Sequence, residues 1–443
     1  MPRVAVFVSD MHIGTNDELE DFSPENEARF VQFLGDQSEK HKGKEIDLVI
    51  LGDFLDIWQV ATKQEKTAQN STDIAVEIQI KQEQDRVNQI IAAHKGIFNS
   101  LQGFLSADPR RRLFVIPGNH DHSLIHPSLQ NAIRKAIALE APSLEKRILF
   151  PNFYDAPDLR TYAEHGNQYD LNNDYDNFAD FGHECPGFYF VRLFWNRLEP
   201  IDPNVDVDIW WNIFCLIWER RLWNLLRSAY SLFRQYRNDP REFERIDVPG
   251  VPFLATPGGL APMLNTGKSM PEFPDILFSE KSDPELIFST DPTLENRLRA
   301  LYHDPSETEF RNEMDKILAK KFPHQAPQVP KEPVAVPPTF GILPDEYVTA
   351  VTGMFAPPGK EPQTRPMKGS ALDNGSYDYV LFGHTHDEKI IPISGTKPIY
   401  FNTGSWTMRR APSGGNASRL CYTTIWKSPD GNMRAEQKLW NPI

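Results

Sequence analysis

Two features of this chain predict an α/β protein. Apolar runs of strand length alternate with stretches of helical period, and five of those runs break off into Asp, Asn or His. Buried parallel strands read as unbroken apolar segments, and the chemistry of open sheets collects beyond their carboxyl ends. Taken in order, Val4 to Val8 is the first such run and leads into Ser9-Asp10-Met11-His12-Ile13-Gly14. Asp10 and His12 flank one residue, and in extended backbone alternate side chains share a side, so both are expected to reach one cation. Residues 24–42 have helical character. Ile46 to Leu51 is the second run, ending in Gly52-Asp53-Phe54-Leu55-Asp56-Ile57-Trp58.

Between about 71 and 105, Ile74, Ile78, Val87, Ile90, Ile91, Ile97 and Leu101 recur among charged residues at helical spacing, which predicts a crossover. The third run, Leu113 to Ile116, stops at Pro117-Gly118 and delivers Asn119, His120, Asp121 and His122. After a helical stretch at 127–139, Leu159 to Glu164 ends in His165. Some two hundred residues later Tyr377 to Phe382 ends in Gly383-His384-Thr385-His386. Segments from Pro398 to Trp440 read as closing strands and hairpins, with a turn at Pro429-Asp430-Gly431-Asn432.

Composition excludes several classes. The 443 residues suffice for one large domain with insertions or for two to three ordinary ones. Lys and Arg number 47 against 61 Asp and Glu, a net charge of −14, which disfavours nucleic acid and anionic lipid as global partners. Three scattered cysteines, Cys185, Cys215 and Cys421, make neither a disulfide framework nor a thiolate metal site and fit a reducing, cytoplasmic setting. The first residues lack the apolar length of a signal peptide, and no stretch has the roughly 20 apolar residues of a membrane span.

Asp10, His12, Asp53, Asn119, His165, His384 and His386 thus share one context, the end of a strand. A single histidine there is ordinarily a hydrogen-bonded loop residue; seven ligand-type residues in the same setting predict a metal centre. Carboxylate, amide and imidazole together suit divalent Mn, Fe, Zn or Ni, and the number of ligands suffices for two ions bridged by one carboxylate.

The ordered set Asp10-x-His12, Gly52-Asp53-x-x-Asp56, Gly118-Asn119-His120-Asp121, His165-Gly166 and Gly383-His384-x-His386 resembles the five signature blocks of the calcineurin-like metallophosphoesterase superfamily. The resemblance covers about residues 1–170 and 377–410. It implies two mixed sheets packed face to face with flanking helices, with Asp10, His12, Asp53 and His386 holding one metal, Asp53, Asn119, His165 and His384 the other, and Asp53 bridging. Manganese is the first expectation. The chemistry expected is hydrolysis of a phosphate ester or anhydride by a metal-bridging hydroxide, the ions about 4 Å apart. His120 is then the general acid and Asp56 its orienting partner, with a helix N-cap as the plain alternative for Asp56.

Substrate is less constrained. Ile57-Trp58 stands where the protein Ser/Thr phosphatases of the superfamily carry Arg-Gly, which argues against that activity. Trp58 and the long insertion are similar to UDP-diacylglucosamine pyrophosphatases, while the second and third blocks also resemble DNA-repair nucleases; a non-catalytic scaffold of the same fold is the remaining alternative. The expected substrate is a phosphorylated small molecule or a lipid-linked phosphate, with no obligate protein partner. The domain layout expected is a catalytic body of 1–170 and 377–443 and an inserted cap of 171–376. That cap has a Trp-rich amphipathic helix (Phe214, Trp218, Leu222, Leu225, Ala229, Phe233, Tyr236) backed by Arg220, Arg227 and Arg234, expected to pack its aromatic stripe on the catalytic body, with contact with a membrane surface as the alternative. Proline and glycine crowd 248–274 and 323–344, and 284–321 has the pattern of two short helices.

Overall fold

The computed structural model describes residues 3–61, 80–192 and 346–440, together with residue 196 and apart from short gaps at 18, 140, 171–172, 176, 182–183, 186, 189–190, 357–359, 374, 394–397, 411–415 and 419. The amphipathic helix, the two proline-rich stretches and the pair of short helices expected in the insertion lie outside the described residues, as does Cys215. Cys185 and Cys421 are buried thiols that form no disulfide among the described residues.

The described chain is mixed α/β with two mixed sheets. In the first, β1 (Arg3–Val8), β2 (Glu45–Leu51), β3 (Arg111–Ile116) and the short β4 (Ile148–Leu149) run parallel. The β12 (Cys421–Lys427) and β13 (Met433–Leu439) hairpin adds antiparallel to the free side of β1, its turn at 428–432. In the second, β6 (Thr161–Ala163), β7 (Tyr379–Phe382) and β9 (Ile399–Asn402) are parallel. Antiparallel β5 (Tyr154–Ala156) and β8 (Lys389–Pro392) flank them. A separate ribbon pairs β10 (Met408–Arg410) with β11 (Asn416–Ser418).

Period-two alternation assigns each strand two apolar faces. Val4, Val6 and Val8 of β1 and Ile46, Leu48 and Ile50 of β2 join one core with the helices, whereas Ala5, Phe7, Val49 and Leu51 join a second core with Tyr154, Ala163, Leu381 and Phe401 of the other sheet. Both faces being covered explains why these strands read as unbroken apolar runs. The other side of the second sheet, through Tyr162, Val380, Phe382 and Tyr400, packs on Val351 and Met354.

The helices follow their local signals. In α1 (Pro24–Lys40) the Ser23 side chain accepts from the Asn26 amide at 3.2 Å and Pro24 occupies the first turn. The crossover predicted as one helical stretch is two helices, α2 (Ile80–Ala93) and α3 (Lys95–Ser106), with 71–79 outside the described residues. They part at His94, whose imidazole is fastened on one side to Glu27 (2.7 Å) and on the other to Glu20 (3.2 Å). Next come α4 (Pro127–Ile137) and, late in the chain, α5 (Glu346–Met354), which supplies Val351 and Met354.

One compact unit comprises Met1–Thr67, Ala75–Arg192 and Pro344–Ile443. It therefore extends past both boundaries expected from sequence, at 170 and 377, because residues 173–188 and 346–372 bury apolar side chains in its cores. The second unit, Ala68–Ile74 with Leu193–Leu343, lies outside the described residues except for residue 196. No described helix is long and apolar enough to cross a membrane.

Trp406 ties this packing to what lies at the strand ends. Its fully buried ring meets Phe30, Phe33 and Trp440, its indole donates to Cys421 O at 2.7 Å, and its backbone amide donates to Asp10 O at 3.0 Å. Trp406→Ala is expected to cost about 3–5 kcal/mol in urea unfolding, the range for truncating a buried large aromatic; a change under about 1 kcal/mol would mean that the ring is not the keystone of this core.

Candidate metal centre

Every parallel strand except the two-residue β4 delivers its next residues to the same rim. β1 leads to Asp10 and His12, β2 to Asp53, β3 to Asn119 and His120, β6 to His165, β7 to His384 and His386, and β9 to Thr403, Gly404 and Ser405. Backbone hydrogen bonds lace these ends together: Asp10 N to Gly52 O (3.1 Å), His12 N to Asp53 O (2.9 Å) and Gly383 N to His165 O (2.9 Å). The two sheets thus share one cluster of loops.

The local backbone departs from the expectation that Asp10 and His12, and likewise His384 and His386, alternate on extended chain. Asp10 (φ 51°), His12 (48°), Asp53 (49°), His384 (69°) and His386 (59°) are all left-handed. Asp and His tolerate this region better than most residues, yet each instance is uncommon. Their convergence comes from tight turns, and His384 and His386 consequently serve different groups.

Among the described residues three sets of side chains could hold a cation: Asp10, His12 and His386; Asp53, His165 and His384; and His12, Asp56 and His120, the first and last sharing His12. Asp53 links the first two. Its Oδ2 lies 3.6 Å from His12 Nε2 and 3.1 Å from His165 Nε2, while its Oδ1 accepts the His120 amide at 2.8 Å. Asn119 Oδ1 is 3.1 Å from His165 Nε2, and Asp10 Oδ1 is 3.4 Å from His386 Nε2. Asp10 also accepts the His384 amide, at 3.0 and 3.1 Å.

The imidazoles are aimed from behind. His165 Nδ1 donates to Leu51 O at 2.9 Å, which leaves Nε2 to face Asp53. Asp56 stands between two rings, its Oδ2 at 3.0 Å from His12 Nδ1 and its Oδ1 at 3.0 Å from His120 Nδ1. It also accepts the Gln59 amide at 3.1 Å, so the turn-capping role and the ring-orienting role coexist in one carboxylate. Trp58 stacks on His120 with centroids 4.2 Å apart. His120 and His386 keep 18% and 31% of their side chains exposed, whereas Asp10, His12, Asp53, Asn119 and His165 are buried.

Asp121 braces the loops. One oxygen accepts Gly118 N at 2.7 Å and the other accepts Phe54 N and Leu55 N at 2.9 and 3.2 Å, bolting the second block to the third. His122 stacks on Tyr175 and donates to Phe178 O at 2.8 Å, away from the cluster. Sequence reasoning missed two residues: Asp170, whose Oδ2 lies 3.0 Å from His384 Nε2, and Asn173, whose Oδ1 accepts from Asn119 Nδ2 at 3.1 Å. In sequence they belong to a polar run directly after His165, with Asn167, Asp170 and Asn173 at steps of three, a pattern that ordinary loops share.

Charge and shape both fit divalent cations here. Burial opposes the charged form of Asp53, yet the imidazoles of His165, His120 and His12 hold it well below the usual carboxylate range. Burial likewise disfavours charge on His12, but its hydrogen bond to Asp56 and the charges of Asp53, Asp56 and Asp10 push it up to about 10; Asp53 does the same to His165, up to about 9. In the cation-free chain, protonated rings therefore supply the positive charge that the carboxylates need. Three glycines make the room: a Cβ on Gly52 would lie 1.9 Å from His165 Nδ1, on Gly118 2.2 Å from Asp53 Oδ1, and on Gly383 2.6 Å from Asp10 Oδ2.

No protein-family model matches this chain, and no curated protein matches it.

Because ligand nitrogens must be bare, cation uptake has to expel the His12 and His165 protons. Uptake of Mn2+ at neutral pH should release protons and tighten as the pH rises toward about 9–10. Calorimetry in buffers of different ionisation enthalpy reads this directly, and affinity unchanged with pH would contradict it. In the cation-free chain the same raised values stabilise the fold fully below about 6.5, and that contribution fades as the pH climbs through 9 to 10. Gly118→Ala, which drives a methyl into Asp53, should weaken Mn2+ binding about 10–100-fold.

Proposed function

We propose that this chain is a dinuclear metal-dependent phosphoesterase that hydrolyses a phosphate ester or anhydride. The observation that carries this reading is the Asp53 carboxylate, whose one oxygen faces imidazole nitrogens of two different ligand groups at 3.6 and 3.1 Å. Asp10, His12, Asp53 and His386 would hold one divalent cation, and Asp53, Asn119, His165 and His384 the other. Bound there, the cations would neutralise phosphoryl oxygens and acidify the attacking water. We further propose that the two sheets form the face-to-face sandwich of the calcineurin-like metallophosphoesterases, which the order and spacing of the five blocks resemble.

The chain's own residues supply the proton. Asp56 is a carboxylate held low by His120 and His12 despite its burial, so it accepts from both rings. That fixes the His120 proton on Nδ1 and leaves Nε2 to carry a second one, for delivery to the leaving oxygen. The Trp58 face stacked on the ring holds its plane. The side chain's partial exposure lets a substrate reach it. His12, bonded to the same carboxylate, couples the proton donor to the first ligand group.

A substrate of the phosphorylated small-molecule or lipid-linked class accords with the acidic balance of the chain better than duplex nucleic acid does. The Mn2+-loaded protein is expected to hydrolyse p-nitrophenyl phosphate or bis-p-nitrophenyl phosphate. The ratio of the two rates separates monoesterase from diesterase, and inertness toward both and toward diphosphate anhydrides would leave a scaffold. Asp53→Asn should abolish turnover together with cation content. His120→Ala should lower kcat by about 10²–10⁴-fold with cation content kept; an unchanged kcat would remove His120 from the acid role.

A further inference from the structure

Building on the dinuclear reading, we propose that Asp170 and Asn173 form a hydrogen-bonded rail that aims Asn119 and His384 at the second cation. Neither belongs to the ligand groups. The Asp170 carboxylate, 20% exposed, has its Oδ2 3.0 Å from His384 Nε2 and accepts from Asn173 Nδ2 at 2.7 Å through the same oxygen. Asn173 Oδ1 in turn accepts from Asn119 Nδ2 at 3.1 Å. The loop that carries the rail is itself pinned, since Asn167 Nδ2 donates to Asn173 O at 2.7 Å and the Asn173 amide donates to Asp170 O at 2.9 Å.

The polarity of the rail follows from donor and acceptor counting. An ionised carboxylate only accepts, so both His384 Nε2 and Asn173 Nδ2 must donate to Asp170. Asn173 is then left to accept through Oδ1, which compels Asn119 to donate through Nδ2 and keeps Asn119 Oδ1 on the side of His165 Nε2, 3.1 Å away. For His384, a proton on Nε2 leaves Nδ1 bare, the state a ligand nitrogen needs. One negative charge at Asp170 thereby sets the amide orientation of one ligand and the tautomer of another. The first cation's side has different supports, with Asp56 behind His12 and the His384 backbone amide on Asp10. Asp170 and Asn173 are positioning residues for one half of the centre.

The test is Mn2+ titration of the full chain, followed by calorimetry and by electron paramagnetic resonance, in the wild type, Asp170→Asn and Asn173→Leu. The wild type is expected to take up two ions with the signal of a coupled pair. Each variant is expected to keep the first ion at wild-type affinity, to bind the second about 10–100-fold more weakly and to show an isolated-ion signal. Asn173→Asp, which keeps the shape but turns the donor toward Asp170 into an acceptor, should behave alike and carries the test if another variant fails to fold. Two ions bound by the variants at wild-type affinity would overturn the rail, and so would loss of both ions at once. A wild type that takes up fewer than two ions would instead overturn the dinuclear reading on which the rail rests.

Discussion

Buried negative charge is the constraint that shapes this molecule. Asp10, Asp53 and Asp56 lie side by side at the rim of two sheets, all within 1% of complete burial. Isolated carboxylates in such a place would be costly enough to unfold the site or to take up protons. Positive charge must therefore come from somewhere, and the chain sets the imidazoles of His12 and His165 against them. Imidazoles are suited to this because they can hold the charge as protons or surrender those protons to a cation. The fold around them, down to the Trp406 amide on Asp10 O, keeps that exchange in one place.

A second cost sits in the backbone. Five of the ligand-type residues are left-handed, and each such conformation costs of order 1 kcal/mol or more. Together they would consume much of the net stability of an ordinary domain. They persist because the surroundings over-determine them: Asp121 fastens three amides of two neighbouring loops, and glycines at 52, 118 and 383 remove the atoms that would collide with the ligands. Rigidity at the site is thus supplied by buried hydrogen bonds beyond the ligands themselves.

Much of this was legible in the sequence. The strands show as apolar runs because both faces are buried, and the ligand residues show because an abrupt switch to Asp, Asn or His after such a run recurs five times. What was illegible depends on contacts distant in the chain. His94 stands where the helical pattern parts into two helices, and its partners Glu20 and Glu27 reach it from elsewhere in the chain. The left-handed turns cannot be read from Asp-x-His spacing, which suggests extended chain equally well. Asp170 and Asn173 look like ordinary loop residues until Asn119 and His384 are placed beside them, and the packing of 173–188 on Trp58 depends on aromatic side chains with no periodic signature.

Pairing across the long insertion has a consequence for biosynthesis. β1 lies between β2 and β12, and β6 lies between β5 and β7, so each sheet needs strands from both ends of the polypeptide. A nascent chain emerging from the ribosome presents the β6 edge unpaired until some two hundred further residues have been made, and the β1 edge that takes β12 for about four hundred. Such edges invite misassociation, and contacts this far apart in sequence form slowly. Acquisition of the ions would then wait on the turn that carries His384 and His386, because no product truncated before residue 384 holds every side chain of either ligand group.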